Sequence, residues 1–342
     1  MSINSYSGFQ PLKEIWLGDC YPKSFYDDLE SDTRDAFHTI TEMTKKDLNG
    51  IEKKLQEFGV TVRRPEFDSD PNIYTNSKGY LMKPPIVPRD ENITLGDTFY
   101  HLRNYYKKDP WQSHLDKLKQ QGKVIEANDG GLACLNTPSI VRLGRDIVVD
   151  WGPHKDWWHL VEPIIKEWSK NFRIQVNKKN TDTYGHSDGI FCPVAPGVIV
   201  STFYNKEYSR TFPNWDIYYL DEPTMADFNC NWFIDDEEIM KNAKFNSHLE
   251  KFARDWVGDI RETVFEVNML VIDEKNVLAI AHNEKLFDWL SKKGINVHLV
   301  DFKTRSFWDG GLHCITCDIE REGGKQNYFP ERTNSNYMEY IN

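Results

Sequence analysis

Three stretches of this chain repeat one shape: a short apolar run, a turn, and a second apolar run. They are P-S-I-V-R-L-G-R-D-I-V-V-D (138–150), G-I-F-C-P-V-A-P-G-V-I-V-S (189–201) and E-V-N-M-L-V-I-D-E-K-N-V-L-A-I (266–280). β-Branched runs on either side of turn residues read as hairpins. A weaker fourth copy, P-P-I-V-P-R-D-E-N-I-T-L-G-D (84–97), sets Asp90 at its turn, where an aspartate is usually structural. P-L-K-E-I-W-L-G-D (11–19) supplies one strand of a fifth.

Helical and extended stretches follow in a regular order. From Ala36 to Phe58, apolar residues fall mostly at helix spacing, and Gly59 ends the run like a C-terminal cap. Trp157–Phe172 and Glu284–Lys293 look alike, the second stopped by Gly294. Short extended runs then come at 60–65, 123–128, 173–177, 215–221 and 295–302. The unit is therefore hairpin, helix, strand, repeated about five times with uneven insertions. I-T-C-D-I (315–319) would pair with 11–19 and close the modules into a ring, which leaves no open sheet edge. An ordinary α+β sheet with meander hairpins fits the same periodicity. In the ring, the segments after each last strand (65–68, 128–131, 183–189, 305–314) point toward a common axis. Asp129, His186, Asp188 and Cys314 gather there.

Bulk properties limit the partners. The 342 residues suffice for one large domain or two ordinary ones, and 39% hydrophobic with 13% aromatic residues describe a globular chain. A net charge of −11 argues against nucleic acid and anionic membranes. No run of 18 apolar residues is present, and Met-Ser-Ile-Asn-Ser-Tyr lacks the charged and apolar regions of a signal peptide. Six sparse cysteines suit free thiols, so a reducing cytoplasm is expected. The charge run D-D-E-E (235–238) reads as a solvated face or a helix start.

Within W-D-G-G-L-H-C-I-T-C-D (308–318), Cys314 and Cys317 form a C-x-x-C. A structural zinc site wants a second such pair, and the other four cysteines are singletons. A redox pair usually opens a helix, whereas this reads as a glycine turn entering a strand, where positions three apart face opposite sides. Spacing alone leaves zinc, redox, a single nucleophile and inert buried thiols all open. His186 and Asp188, two apart in an extended segment, would share a face and suit acid–base work with cation binding. A hydrogen-bonded histidine on a surface loop is the commoner explanation of a lone H-x-D.

Taken together, G-V-T-V-R-R-P (59–65), V-P-R-D (87–90), R-L-G-R-D-I (142–147), H-S-D (186–188), N-M-L-V-I-D-E-K (268–275) and G-G-L-H-C-I-T-C-D (310–318) resemble the arginine:glycine amidinotransferase family of the guanidino-group-modifying pentein superfamily. The resemblance covers most of the chain. It implies an α/β fold, a five-bladed α/β propeller of ββαβ modules with pseudo-fivefold symmetry, as a single catalytic domain over 1–342. It implies an amidinotransferase that moves the amidino group of L-arginine to glycine or another small amine, through an amidino-cysteine, and releases ornithine. With glycine the product is guanidinoacetate. Cys314 matches the nucleophile, His186 the general acid/base, and Asp90 and Asp188 the carboxylates that hold the guanidinium. No cofactor and no metal are implied. The partners are small molecules, and since relatives are often dimers a homodimer is allowed.

Two departures stand out. The family carries two aspartates, one of which supports the histidine, where this chain has Asn136 and Ser139; these, or Asp129 nearby, would take that place. The arginine that binds the substrate carboxylate has no clean counterpart, and T-F-Y-N-K-E-Y-S-R (202–210) offers Asn205, Lys206 or Arg210. The expected substrate-binding set is Asp90, Asp188, Asn136, Ser139 and Arg210. Gly185, before His186, is smaller than is usual in the glycine-using enzymes and would admit a larger acceptor. The same resemblance leaves room for an arginine deiminase or guanidine hydrolase, and the departures for a catalytically impaired arginine-binding protein.

Overall fold

A computed structural model describes residues 2–79, 81–102, 105–127, 130–178, 186–220, 265–333 and 337–341. Its strands form five small sheets of one design. In each, an antiparallel pair is joined by a third, parallel strand that arrives after a crossover. The sheets are β3 (Asn92–Leu95), β4 (Thr98–Leu102) and β5 (Lys123–Ala127); β6 (Ile140–Leu143), β7 (Asp146–Asp150) and β8 (Arg173–Asn177); β9 (Phe191–Ala195), β10 (Val198–Ser201) and β11 (Asp216–Tyr219); and β12 (Leu270–Asp273), β13 (Asn276–Ala279) and β14 (Asn296–Leu299). The fifth joins the two ends of the chain. β1 (Leu12–Leu17) pairs antiparallel with β15 (Thr316–Arg321) and parallel with β2 (Thr61–Arg63), with Leu17 opposite Thr316. This is the closure expected from I-T-C-D-I.

One hairpin sits later than its sequence implies. Asp90 belongs to a short 3-10 turn, Pro88–Asp90, that leads into β3, and the chain reverses at Gly96–Asp97. The prolines at 84, 85 and 88 have no N–H to give a ladder, while Gly96, at φ +63°, takes the left-handed geometry a tight hairpin needs. β16 (Tyr337–Ile341) is a strand that hydropathy alone does not announce. It pairs parallel with β8, which is why β8 is buried along its whole length while the other third strands are partly exposed.

The helix Ser31–Glu57 shows how the modules position the axis. Ala36, Phe37, Ile40, Leu48, Ile51 and Leu55 bury one stripe, and Thr44 and Asp47 interrupt it. Thr44 Oγ1 meets Thr304 Oγ1 at 2.9 Å and accepts from Trp308 Nε1 at 2.8 Å, and Asp47 Oδ2 accepts the Lys303 N–H at 2.7 Å. The polar breaks therefore anchor residues 303–308, the approach to Cys314.

The axis is charged. Asp318 on β15 is fully buried and meets three buried guanidiniums: Arg89 at 2.8 Å, Arg142 of β6 at 2.9 Å and Arg321 at 2.9 Å. Ser5 Oγ donates to it at 2.7 Å. No helix among the described residues is long and apolar enough to cross a membrane.

Candidate active site

Each hairpin is entered through a turn at the axis, and those turns carry the site. Pro88–Asp90 precedes β3, Thr137–Ser139 precedes β6, Ser187–Gly189 precedes β9, Asn268 lies two residues before β12, and Cys314 two before β15. The first three turns pack on one another. The Arg89 N–H donates to the Cys314 carbonyl at 3.3 Å, which ties the Asp90 turn to the cysteine.

Asp188 is the centre of the group. It is buried, and its Oδ2 accepts His313 Nδ1–H at 2.6 Å and lies 3.5 Å from Cys314 Sγ. Its Oδ1 is buried with no hydrogen-bond partner among the described residues. Burial alone would push its pKa up, but the His313 hydrogen bond and the nearby His186 and Arg89 outweigh that and hold it below the usual carboxylate range. His186 stands at the extended entrance to its turn, with Nδ1 3.9 Å from Asp90 Oδ1, beyond hydrogen-bond range. Burial first, and Arg89 second, push the His313 pKa down, while the hydrogen bond to Asp188 pulls it the other way.

Cys314 itself is buried, 1% exposed. Asn268 reaches its sulfur: Nδ2 donates to Sγ at 3.0 Å and to the Asp188 carbonyl at 3.3 Å. Asn268 Oδ1 accepts the N–H of His313 at 2.9 Å and of Cys314 at 3.3 Å. The two glycines upstream make room for this contact. A Cβ on Gly311 would lie 2.6 Å from Asn268 Oδ1, and one on Gly310 2.9 Å from the Cys314 Cβ. Gly311→Ala is therefore expected to displace the Asn268 amide. It should lower stability by roughly 1–3 kcal/mol through overpacking, read as a lower Tm, with turnover falling by more than stability explains.

The C-x-x-C resolves into two unrelated thiols. Cys317 Sγ points to the Asn92 carbonyl at 3.6 Å, inside a separate apolar cluster with Trp16, Phe99 and Trp111. Burial pushes its pKa up to about 11.

The remaining candidates divide. Asn136 and Ser139 are at the axis but bond to each other, Ser139 Oγ donating to Asn136 Oδ1 at 2.8 Å. The Asn136 N–H donates to Nε2 of buried His154 at 2.9 Å, and His154 Nδ1–H donates to the Asp150 carbonyl at 2.7 Å. The Asp150 side chain accepts from Ser187 Oγ. Asp150 is thus a carboxylate behind the H-S-D turn that the motifs do not single out. Arg210 is not brought to the site; it is exposed and paired with Glu339 on β16. Its place at the rim follows from β16, whose acidic residue captures it. Asn205 Oδ1 accepts the Glu207 N–H at 2.9 Å, and the Lys206 side chain is 70% exposed. Asp129, Gly185 and D-D-E-E (235–238) lie outside the described residues.

Motif reading missed Asn268 as a site residue, although N-M-L-V-I-D-E-K contains it. The repeat held the signal, since Asn268 occupies the same place before its hairpin as Asp90 and Cys314 do.

No family model matches the chain. Its sequence relatives are amidinotransferases. It is 23% identical over 217 residues to the mitochondrial glycine amidinotransferase of Gallus gallus, covering 62% of this chain and 44% of that one. It is 20% identical over 324 residues to the L-arginine:L-lysine amidinotransferase of Pseudomonas savastanoi pv. phaseolicola, covering 84% of this chain and 81% of that one. Among solved structures it resembles SxtG, an amidinotransferase of Microseira wollei from the saxitoxin biosynthetic pathway. The TM-score is 0.67 at 18% identity, over 96% of this chain and 99% of that one. The fold is thus the pentein α/β propeller of amidinotransferases.

Proposed function

We propose that this chain, a sequence relative of the amidinotransferases built on their fold, works as one catalytic domain over residues 1–342 and moves the amidino group of L-arginine to a small amine. The observation that carries this reading is Asp188: one oxygen lies 3.5 Å from a cysteine sulfur, and the other is buried and unpaired among the described residues. An orphaned buried acceptor costs about 1–3 kcal/mol, and a guanidinium N–H would relieve that cost while placing its carbon beside the sulfur.

In this reading Asp188 and Asp90 hold the planar cation. The Cys314 thiolate attacks the guanidinium carbon, forming a C–S bond, and the C–N bond to the leaving amine breaks as His186 gives it a proton. Ornithine departs. An acceptor amine then attacks the amidino-cysteine, His186 takes its proton, and the thiolate is released. A charge-delocalised carbon is a poor electrophile, which is why a sulfur nucleophile and paired carboxylates suit the task. The near-complete burial of Cys314 protects the intermediate from water, without which the same chemistry ends as hydrolysis.

The acceptor is the variable part. The relatives' names cite glycine in one case and lysine in the other, so glycine or another small amine is the expected class. Incubation with labelled arginine and a panel of amines, glycine and lysine included, is expected to give ornithine and one amidinated amine with ping-pong kinetics. Citrulline, urea or ammonia instead would establish a hydrolase. Arginine binding without ornithine or a covalent adduct would leave a binding protein, the reading favoured by Asn136 and Ser139 bonding each other where the family has aspartates.

A further inference from the structure

We infer that Asn268 is a catalytic residue: its carboxamide is the fixed N–H donor that stabilises the Cys314 thiolate. This deepens the proposed transfer chemistry and rests on Cys314 as its nucleophile. The orientation of the amide is not arbitrary. Oδ1 is held by two backbone N–H groups, those of His313 and Cys314, so Nδ2 must face the sulfur, 3.0 Å away. A flipped amide would set a carbonyl oxygen against sulfur and NH2 against two N–H donors. Gly311 and Gly310 leave the space that permits this approach.

The groups around the sulfur pull in opposite directions. Asp188, 3.5 Å away, is an anion that favours the protonated thiol, and it accepts from His313, the neighbour of Cys314. Asp90 lies across the pocket beside His186. Arg89 and Asp318 lie behind, already paired with each other, and Glu266 is on the turn that carries Asn268. Asn268 thus aims a donor at the sulfur, and Asp188 an acceptor. In the resting site the thiol gives its proton to Asp188 Oδ2 as a hydrogen bond and accepts one from Asn268. When a cation occupies Asp188, its charge offsets that of the carboxylate, the thiol proton passes to solvent, and the Asn268 N–H remains on the thiolate.

The test is a thiol titration that needs neither arginine nor an acceptor. Ultraviolet thiolate absorbance is recorded against pH, with the matching Cys314→Ala protein subtracted in each background. Asn268→Asp keeps the shape and the acceptor for both backbone N–H groups but removes the donor. Its thiolate midpoint should rise by about one pH unit or more, roughly a tenfold loss of thiolate at neutral pH. Asn268→Ala, without added charge, should move the same way, and Asp188→Asn the opposite way. An Asn268→Ala midpoint at the wild-type value would overturn the assignment, because the aspartate effect would then be charge alone. In the unmodified protein, the Asn268 side-chain amide resonance should titrate with the Cys314 midpoint. A resonance indifferent to that ionisation also overturns the assignment, whether or not the variants fold. If the titrations behave as expected but no arginine-derived product forms, the reaction assignment fails and the thiolate donor stands.

Discussion

Cys314→Ala is expected to abolish turnover, a loss on the order of 10⁴-fold or more, with the fold retained. Of the other four described thiols, Cys134 is half-buried against the apolar cluster of Leu135 and Val161, and the remaining three are poor nucleophiles. Burial pushes the pKa of Cys20 and Cys192 up to about 12 and that of Cys317 up to about 11, so all three are protonated near neutral pH. Cys317, three residues on, faces the Asn92 carbonyl rather than the axis. Removing one sulfur from Cys314 leaves the Asn268 contacts to the backbone of 313 and 314 in place, so Tm should change by only a few degrees. Cys317→Ala is the matched control, expected to keep turnover while losing some stability. Labelled arginine should mark the wild-type protein on the peptide carrying Cys314 when no acceptor is supplied, and leave the alanine variant unmarked. Turnover within tenfold of wild type in Cys314→Ala would remove the covalent mechanism.

The fold was legible because its unit repeats. Four hairpins and the closing pair of β15 with β1, each followed by a crossover and a parallel strand, leave the same mark in hydropathy. Even the closure of the ring could be read, since the apolar run after Cys314 needed a partner and 11–19 lacked one. β16 was not legible, because a lone strand that covers an edge belongs to no repeat. Cys314, His186, Asp188 and Asp90 were picked out by the family resemblance, since residue type and spacing alone left each with a structural explanation. Their grouping now has a geometric reason, as all sit on turns entering a hairpin. Asn268 escaped because an asparagine before a strand has many uses, and only its distance to sulfur distinguishes this one. Arg210 drew notice because it lies in the region equivalent to the family's carboxylate-binding arginine, but an exposed guanidinium follows the nearest carboxylate, here Glu339 on the strand that the sequence hid. Asn136 and Ser139 are uncharged residue types and bond to each other, Ser139 Oγ to Asn136 Oδ1.

Asp318→Asn should be the most destabilising single change at the axis, by roughly 3–5 kcal/mol. The aspartate is fully buried and shared by three buried guanidiniums, so its removal leaves several cations in a low-dielectric interior without an anion. The reverse change is milder. Arg321→Met removes one cation of three and leaves the carboxylate with two, and Arg321 is already the least settled of them. Burial, with Arg142 and Arg89 adding to it, pulls its pKa down to about 10 despite Asp318. The expected order of denaturation midpoints is therefore wild type, then Arg321→Met, then Asp318→Asn. The pH dependence has a definite sign. Burial opposes the charge on Asp318, but Arg142, Arg89 and Arg321 hold its folded pKa well below the ordinary 3.8. Its contribution is then fully present above about pH 3.8 and lost as pH falls toward the folded value. The gap in stability between wild type and Asp318→Asn should stay constant near neutral pH and narrow only in acid. Activity should fall with it even where the variant is folded, because Asp318 holds Arg89, and Arg89 carries both the turn of Asp90 and a backbone bond to Cys314. A folded Asp318→Asn protein with wild-type stability and turnover would mean that the three arginines are compensated elsewhere and that the axis does not support the site.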